Sequence, residues 1–338
     1  MKIIRNMHKS LCLISLYFLL NSIVYGQNWN ETFGEIGKLC PKGSLHTYEE
    51  NSGEVINTPI SRGEAAIPKQ YSLKSFVPPI LMQTEGSCVS YASAYYGMTT
   101  YLRKKENNQE LIPFNPMNLH ARVHAFLNTC DSLKEGSNPS LALTLLRDYG
   151  IQQNELNELD YSTCQNMYPL EEFSVKLDSG KKLNNSNSSL DKIKLVLSKG
   201  NPVLAGISTN FSLDIYHKEY WEFFQRFATS EKKKQFLIES LRKSSPEEFS
   251  SFSKKEVLFE IEKIANFTDS TEFCWEGKYP LKDQGCHALC IIGYDDNRFG
   301  GAFEIVNSWS SDWGNSGYLW IRYRDFYKMY PVFYMIGK

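Results

Sequence analysis

The chain changes its periodicity once, at Gly200-Asn201-Pro202, and that change limits it to folds with a helical half followed by a sheet half. Ahead of it, Ala92, Tyr95, Tyr96, Thr99 and Leu102 recur at helical spacing, predicting a helix from Cys88 to about Lys105 with one apolar face. Residues 117–129 and 138–149 read as two more helices, the second closed by Gly150, and Leu190 to Ser198 as a short fourth. Between them, residues 184–189 form a polar linker. Beyond Pro202 the pattern becomes that of strands: Val203–Ser208, His287–Tyr294, Ala302–Trp309, Leu319–Arg324 and Val332–Ile336. Residues 295–301 read as the hairpin loop joining the second and third of these. The expected class is α+β in two lobes, a helical one over about 80–195 and a β one over about 196–338.

One stretch interrupts the sheet half. Residues 211–265 are rich in Lys, Glu and Phe, and Phe249, Phe252, Val257, Ile261 and Ile264 or Ala265 keep helical spacing. Ser245-Pro246-Glu247-Glu248 has the form of a helix start, with a capping serine and proline at the first position. This is expected to be a helical insertion, with Glu231-Lys232-Lys233-Lys234 on its solvated face.

At the N-terminus, Lys2, Arg5 and Lys9 precede an apolar run from Leu11 to Leu20 and a small-residue site, Val24-Tyr25-Gly26. Residues 1–26 thus read as a signal peptide, the apolar run being short for a membrane span. Residues 27–65 are polar and turn-rich, an N-terminal extension or short pro-segment, and residues 66–338 form the main domain. The expected location is secreted or periplasmic, with no stable membrane insertion after cleavage. The net charge is −1, or −4 without the three signal-peptide cations, which argues against nucleic acid as a partner. Of eight cysteines, Cys12 leaves with the signal; an odd seven in an exported chain implies a free thiol.

Cys88 is the natural candidate for that thiol. It follows Gly86-Ser87 and opens a helix, where unpaired N–H groups and the helix dipole favour thiolate. A thiol nucleophile also needs a base and a group that orients the base. His287 opens the most apolar strand, and Asn307-Ser308-Trp309 ends the strand paired with it. The Asn307 amide oxygen is placed to accept from the imidazole, with Trp309 excluding water. His120 and His124, four apart on a helix, lack a nearby third ligand and read as structural rather than metal-binding.

Gly86-Ser87-Cys88, Cys286-His287-Ala288, and Asn307-Ser308-Trp309 through Trp313-Gly314 and Gly317-Tyr318 resemble, in that order, the papain-like cysteine peptidases. The resemblance spans about residues 66–338. It implies a thiol peptidase acting on peptides or proteins, with Cys88 as nucleophile, His287 as its base and acid, and Asn307 orienting His287. It further implies an oxyanion hole from Gln83 and the Cys88 backbone N–H, substrate contacts at Gly136, Ser137 and Trp309, and a Cys130–Cys164 disulfide. Neither cofactor nor metal is implied. Four departures stand out. Gln83 is five residues before Cys88, one fewer than usual, with Met82 in the expected register; Val89 replaces an aromatic; Ser310 replaces a glycine; and 199 residues separate Cys88 from His287. The short Gln83 spacing supports an alternative, a papain-fold protein that binds peptides or surface polymers without cleaving them.

Overall fold

The computed structural model describes residues 55–56, 66–84, 86–153, 164–165, 176–177, 179–183, 189–209, 211–244, 254–277 and 286–337. The signal-peptide reading, the 184–188 stretch of the polar linker and the Ser245–Glu248 helix start lie outside them. The fold is α+β, as expected, and the sheet carries it. Its strands are β1 (Val55–Ile56), β2 (Gln70–Ser72), β3 (Ser179–Leu183), β4 (Val203–Ser208), β5 (Cys274–Trp275), β6 (Cys286–Asp295), β7 (Ala302–Val306), β8 (Tyr318–Arg322) and β9 (Val332–Gly337). They run in the order β1-β3-β9-β4-β6-β7-β8-β5, with β2 also on β6. All neighbours are antiparallel except β1–β3 and β5–β8.

The central strands are largely apolar because both faces are covered, with His287 of β6 and Glu304 of β7 among the buried polar exceptions. Every residue of β4 and β7 is buried, as is β6 between its end residues. β8, nearer the edge, alternates half-buried and buried. Two expected strands end early. The run from Ala302 stops at Val306, one residue before Asn307, whose N–H makes a last bond in the same register to the Gly317 carbonyl (3.0 Å). The last strand but one stops at Arg322, where Tyr323–Phe326 makes a helical turn; Asp325 there accepts from Arg322 (2.5 Å) and Lys328 (2.6 Å). β3 was not expected. Ser179-Gly180-Lys181-Lys182-Leu183 has no strand pattern of its own and is recruited by the open edge of β9. Likewise Val55–Ile56, inside the N-terminal extension, pairs parallel with β3.

Helix α1 runs from Cys88 through Glu106, with Tyr91–Met98 in π form between two α-helical ends. The sequence predicts one apolar face, yet every residue from Cys88 to Arg103 is buried, so the helix is the hub of its lobe rather than a surface element. α2 (Pro116–Leu127) and α3 (Pro139–Asp148) share one start: Asn115 and Asn138 each cap two backbone N–H groups ahead of a first-turn proline. α4 is Ser189–Ser198.

The described residues fall into two compact units, one containing Glu219–Asn266 and the other residues up to Lys218 and from Phe267 onward. The first holds the helices Lys218–Gln225 (in most of its length), Glu231–Ser244 and Lys254–Ile264. Its core is Trp221, Phe223, Phe224, Phe227, Leu237, Ile238, Val257, Ile261 and Ile264, while Glu231, Lys232 and Lys233 are exposed.

Candidate active site

Cys88 is the first residue of α1 and has no exposed surface. A tight turn delivers it: the Ser87 hydroxyl donates to the Thr84 carbonyl (2.7 Å) and the Tyr91 N–H to the Ser87 carbonyl (3.1 Å). Gly86 sits at φ +77°, and a Cβ there would collide with the carbonyls of Lys134 and Glu135. Glycine is therefore required twice, for its backbone angle and for the approach of the 134–135 backbone. The first turn of α1 packs on β6, the strand of His287.

His287 lies near the start of β6, opposite Ile207 of β4, and is completely buried. Its Nε2 donates to Asn307 Oδ1 at 2.7 Å. The same amide oxygen accepts the Ser308 N–H (2.8 Å), and two donors on one atom fix which end of the carboxamide is oxygen. The neutral imidazole so held carries its proton on Nε2 and its basic lone pair on Nδ1. Trp309 stacks on the imidazole at 4.4 Å between ring centroids, inclined by 25°. It meets Trp313 edge-on at 5.8 Å, and Trp313 Nε1 donates to the Leu213 carbonyl (2.9 Å). Trp309 is itself fully buried, so its place is against the imidazole face, shielding the His287–Asn307 bond from water.

Gln83 is positioned by pairing rather than by loop length. The Gln83 N–H donates to the Ser308 carbonyl (2.7 Å), Met82 bridges Trp309 in antiparallel sense, and the Ser310 N–H donates to the Leu81 carbonyl (3.3 Å). Residues 81–83 thus add a short strand to the segment that carries Asn307. Strand alternation then separates the two residues in question: Met82 points outward, 42% exposed, and Gln83 inward, 4% exposed. The Ser308 hydroxyl donates to Gln83 Oε1 (2.5 Å), which turns the amide nitrogen away from Ser308.

Gly136 is half-buried and Ser137 buried, in the loop that abuts Gly86. Ser137 Oγ has no hydrogen-bond partner among the described residues. A Cys130–Cys164 disulfide ties that loop down. Two histidines assist: His120 Nε2 donates to the Leu133 carbonyl (2.7 Å), and His124 Nδ1 bonds the Thr129 hydroxyl (2.9 Å). Burial pushes the His120 pKa down to about 4 and lowers that of His124. Among the described residues, no three His, Cys, Asp or Glu side chains cluster as a metal site.

The pairing of residues 81–83 with 308–310 escaped sequence reasoning, since three residues show no period. The Ser308 hydroxyl escaped it too, although its place inside Asn307-Ser308-Trp309 was a signal. At Ser310 the departure from glycine has a backbone consequence: its φ is +68°.

Comparison with known proteins bears on the fold and on part of the sequence. A family model described as papain family cysteine protease matches residues 253–330, which include His287 and Asn307. Among solved structures, digestive procathepsin L 3 of the Tenebrio molitor larval midgut superposes with a TM-score of 0.54 at 14% identity, covering 91% of this chain and 79% of its own. Procathepsin B S9 from Trypanosoma congolense gives 0.54 at 12% identity, covering 88% and 87%. No curated protein matches the chain. The fold is that of the papain-like cysteine proteases. Over residues 253–330 the chain also matches the model of that family in sequence.

Proposed function

We propose that this chain is a thiol-dependent peptidase that hydrolyses peptide bonds through an acyl-enzyme on Cys88. The observation that carries the reading is the buried 2.7 Å His287–Asn307 bond shielded by Trp309, with His287 on the strand against which the Cys88 helix packs. His287 Nδ1 takes the Cys88 proton, the thiolate sulfur bonds the substrate carbonyl carbon, and the carbonyl π electrons move onto oxygen. The Gln83 amide nitrogen and the Cys88 backbone N–H donate to that oxyanion. Collapse breaks the C–N bond, the imidazolium gives its proton to the leaving amine, and water, deprotonated by His287, releases the acid and regenerates the thiol. Asn307 holds the imidazole through both half-reactions. Gly136 and Ser137 bind an extended substrate in this reading, which the unpartnered Ser137 hydroxyl supports.

The substrates are peptides or proteins outside the cytoplasm. The signal-peptide character of residues 1–26 and the Cys130–Cys164 disulfide support a secreted or periplasmic location. The test compares the protein with its Cys88→Ala variant on a peptide library, together with iodoacetamide labelling located by mass spectrometry. Labelling at Cys88 and cleavage that the variant lacks are expected. Absence of both under reducing conditions overturns the proposal, and labelling without cleavage favours the binding-protein alternative.

A further inference from the structure

Three tyrosines of α1 spend their buried hydroxyls on one short segment. Tyr91 Oη donates to the Met82 carbonyl (3.4 Å), Tyr95 Oη to the Pro79 carbonyl (2.8 Å), and Tyr96 Oη accepts the Leu81 N–H (3.0 Å) while lying 3.5 Å from the Leu81 carbonyl. All three residues are nearly inaccessible, at 5%, 3% and 1% exposure. A buried hydroxyl is costly unless bonded, and phenylalanine would fill the same core without that requirement. Burial raises the phenol pKa of each, Tyr91 to about 12, so the hydroxyls stay protonated.

The π form of Tyr91–Met98 explains how three side chains converge. In a π turn, residues i and i+5 share a face, which aligns Tyr91 with Tyr96 and places Tyr95 beside them. Ring contacts of 5.9 Å (Tyr91–Tyr95) and 5.0 Å (Tyr95–Tyr96) lock the set. Their targets, Pro79, Leu81 and Met82, are the residues immediately ahead of Gln83. The segment is thereby held from two sides, by Ser308 and Ser310 through backbone pairing and by α1 through the phenols.

We infer that Tyr91, Tyr95 and Tyr96 are positioning residues for the oxyanion hole: they register Gln83 against Cys88, compensating the one-residue shortening between them. Both groups then ride on one rigid element, since Cys88 begins the helix that carries the tyrosines. The inference rests on the peptidase reading, so its test separates the two. Alkylation of Cys88 by iodoacetamide develops no oxyanion and depends on the thiol and His287; amide hydrolysis depends on the oxyanion hole as well.

The experiment measures both rates in the full chain and in Tyr96→Phe, Tyr95→Phe and the triple Tyr→Phe variant. Removing an oxyanion donor outright costs on the order of 10²–10³ in kcat, so displacing one is expected to cost about 10–100-fold in the triple variant, with KM within about twofold. The alkylation rate stays within about twofold of the parent. Tyr294→Phe is the control: it deletes an equivalent phenol bond, to the Pro68 carbonyl (2.9 Å), seven residues along β6 from His287. It should leave kcat per titrated active site unchanged. The inference is overturned if the triple variant keeps parental kcat, or if kcat and alkylation fall together, which marks a general loss of structure. Failure of the parent to label at Cys88 or to cleave at all would instead overturn the peptidase reading.

Discussion

Acid should unfold this protein in a defined way, and His120 is where the effect is most cleanly isolated. The side chain is fully buried between α2 and the 130–137 loop, its Nε2 on the Leu133 carbonyl. Burial holds its pKa at about 4, with His124 beside it acting in the same direction and the Leu133 bond opposing. In the unfolded chain a histidine titrates near 6.5. Because the folded value is depressed, the unfolded state binds more protons between these values. The stabilisation is full above about pH 6.5 and is lost as pH falls toward 4. With a 2.5-unit difference, linkage removes about 2.5 kcal/mol by pH 4.5, a sizeable part of a typical stability of roughly 5–15 kcal/mol. His120→Gln keeps an N–H donor for Leu133 and cannot titrate. Urea unfolding at pH 7.5 and 4.5 should show the parent losing about 2.5 kcal/mol more than the variant. Parallel losses, within about 0.5 kcal/mol, would refute the reasoning whatever the absolute stability of the variant.

Three other outcomes are expected. Gly86→Ala places a Cβ against the Lys134 and Glu135 carbonyls at a positive φ, so it should lower kcat/KM by more than about 10²-fold through displacement of the Cys88 turn, read by steady-state hydrolysis. Asn307→Ala removes a bond to a group that becomes charged, worth about 1.5–3 kcal/mol, and should reduce kcat by roughly 10–150-fold in steady-state hydrolysis. Ser310→Gly relieves a left-handed backbone (φ +68°) and should stabilise the fold by about 0.5–1 kcal/mol, measured as a rise in Tm without loss of kcat. A lower Tm would show that the Ser310 hydroxyl, which accepts the Asp312 N–H (3.1 Å), outweighs the backbone term.

Much of the fold was legible before any coordinates. Helix α3 announces both its ends, with Asn138-Pro139 at the start and Gly150 (φ +80°) just past the finish. β4 and β6 are apolar runs long enough to read as buried strands. Such signals are local: a cap, a glycine or a period acts within a few residues, and each is stored in the chain next to where it operates. Cys88, His287 and Asn307 stand out as candidates for the same reason, each lying inside a short motif. β3 was invisible because its pairing with β9 rests on a sheet edge about 150 residues away.

The site divides along that line. Composition, spacing and motif order were enough to single out a thiol at a helix start, an imidazole on a buried strand and an amide to orient it. Whether Gln83 or Met82 faces inward was not written in the spacing. It was decided when residues 81–83 paired with 308–310, because strand alternation then sends Met82 to solvent and Gln83 to the interior. The convergence of Tyr91, Tyr95 and Tyr96 on the same segment depended likewise on a π turn that no α-helical period predicts. Local chemistry can be read in one dimension; register between segments 225 residues apart is a property of packing, and only the folded chain contains it.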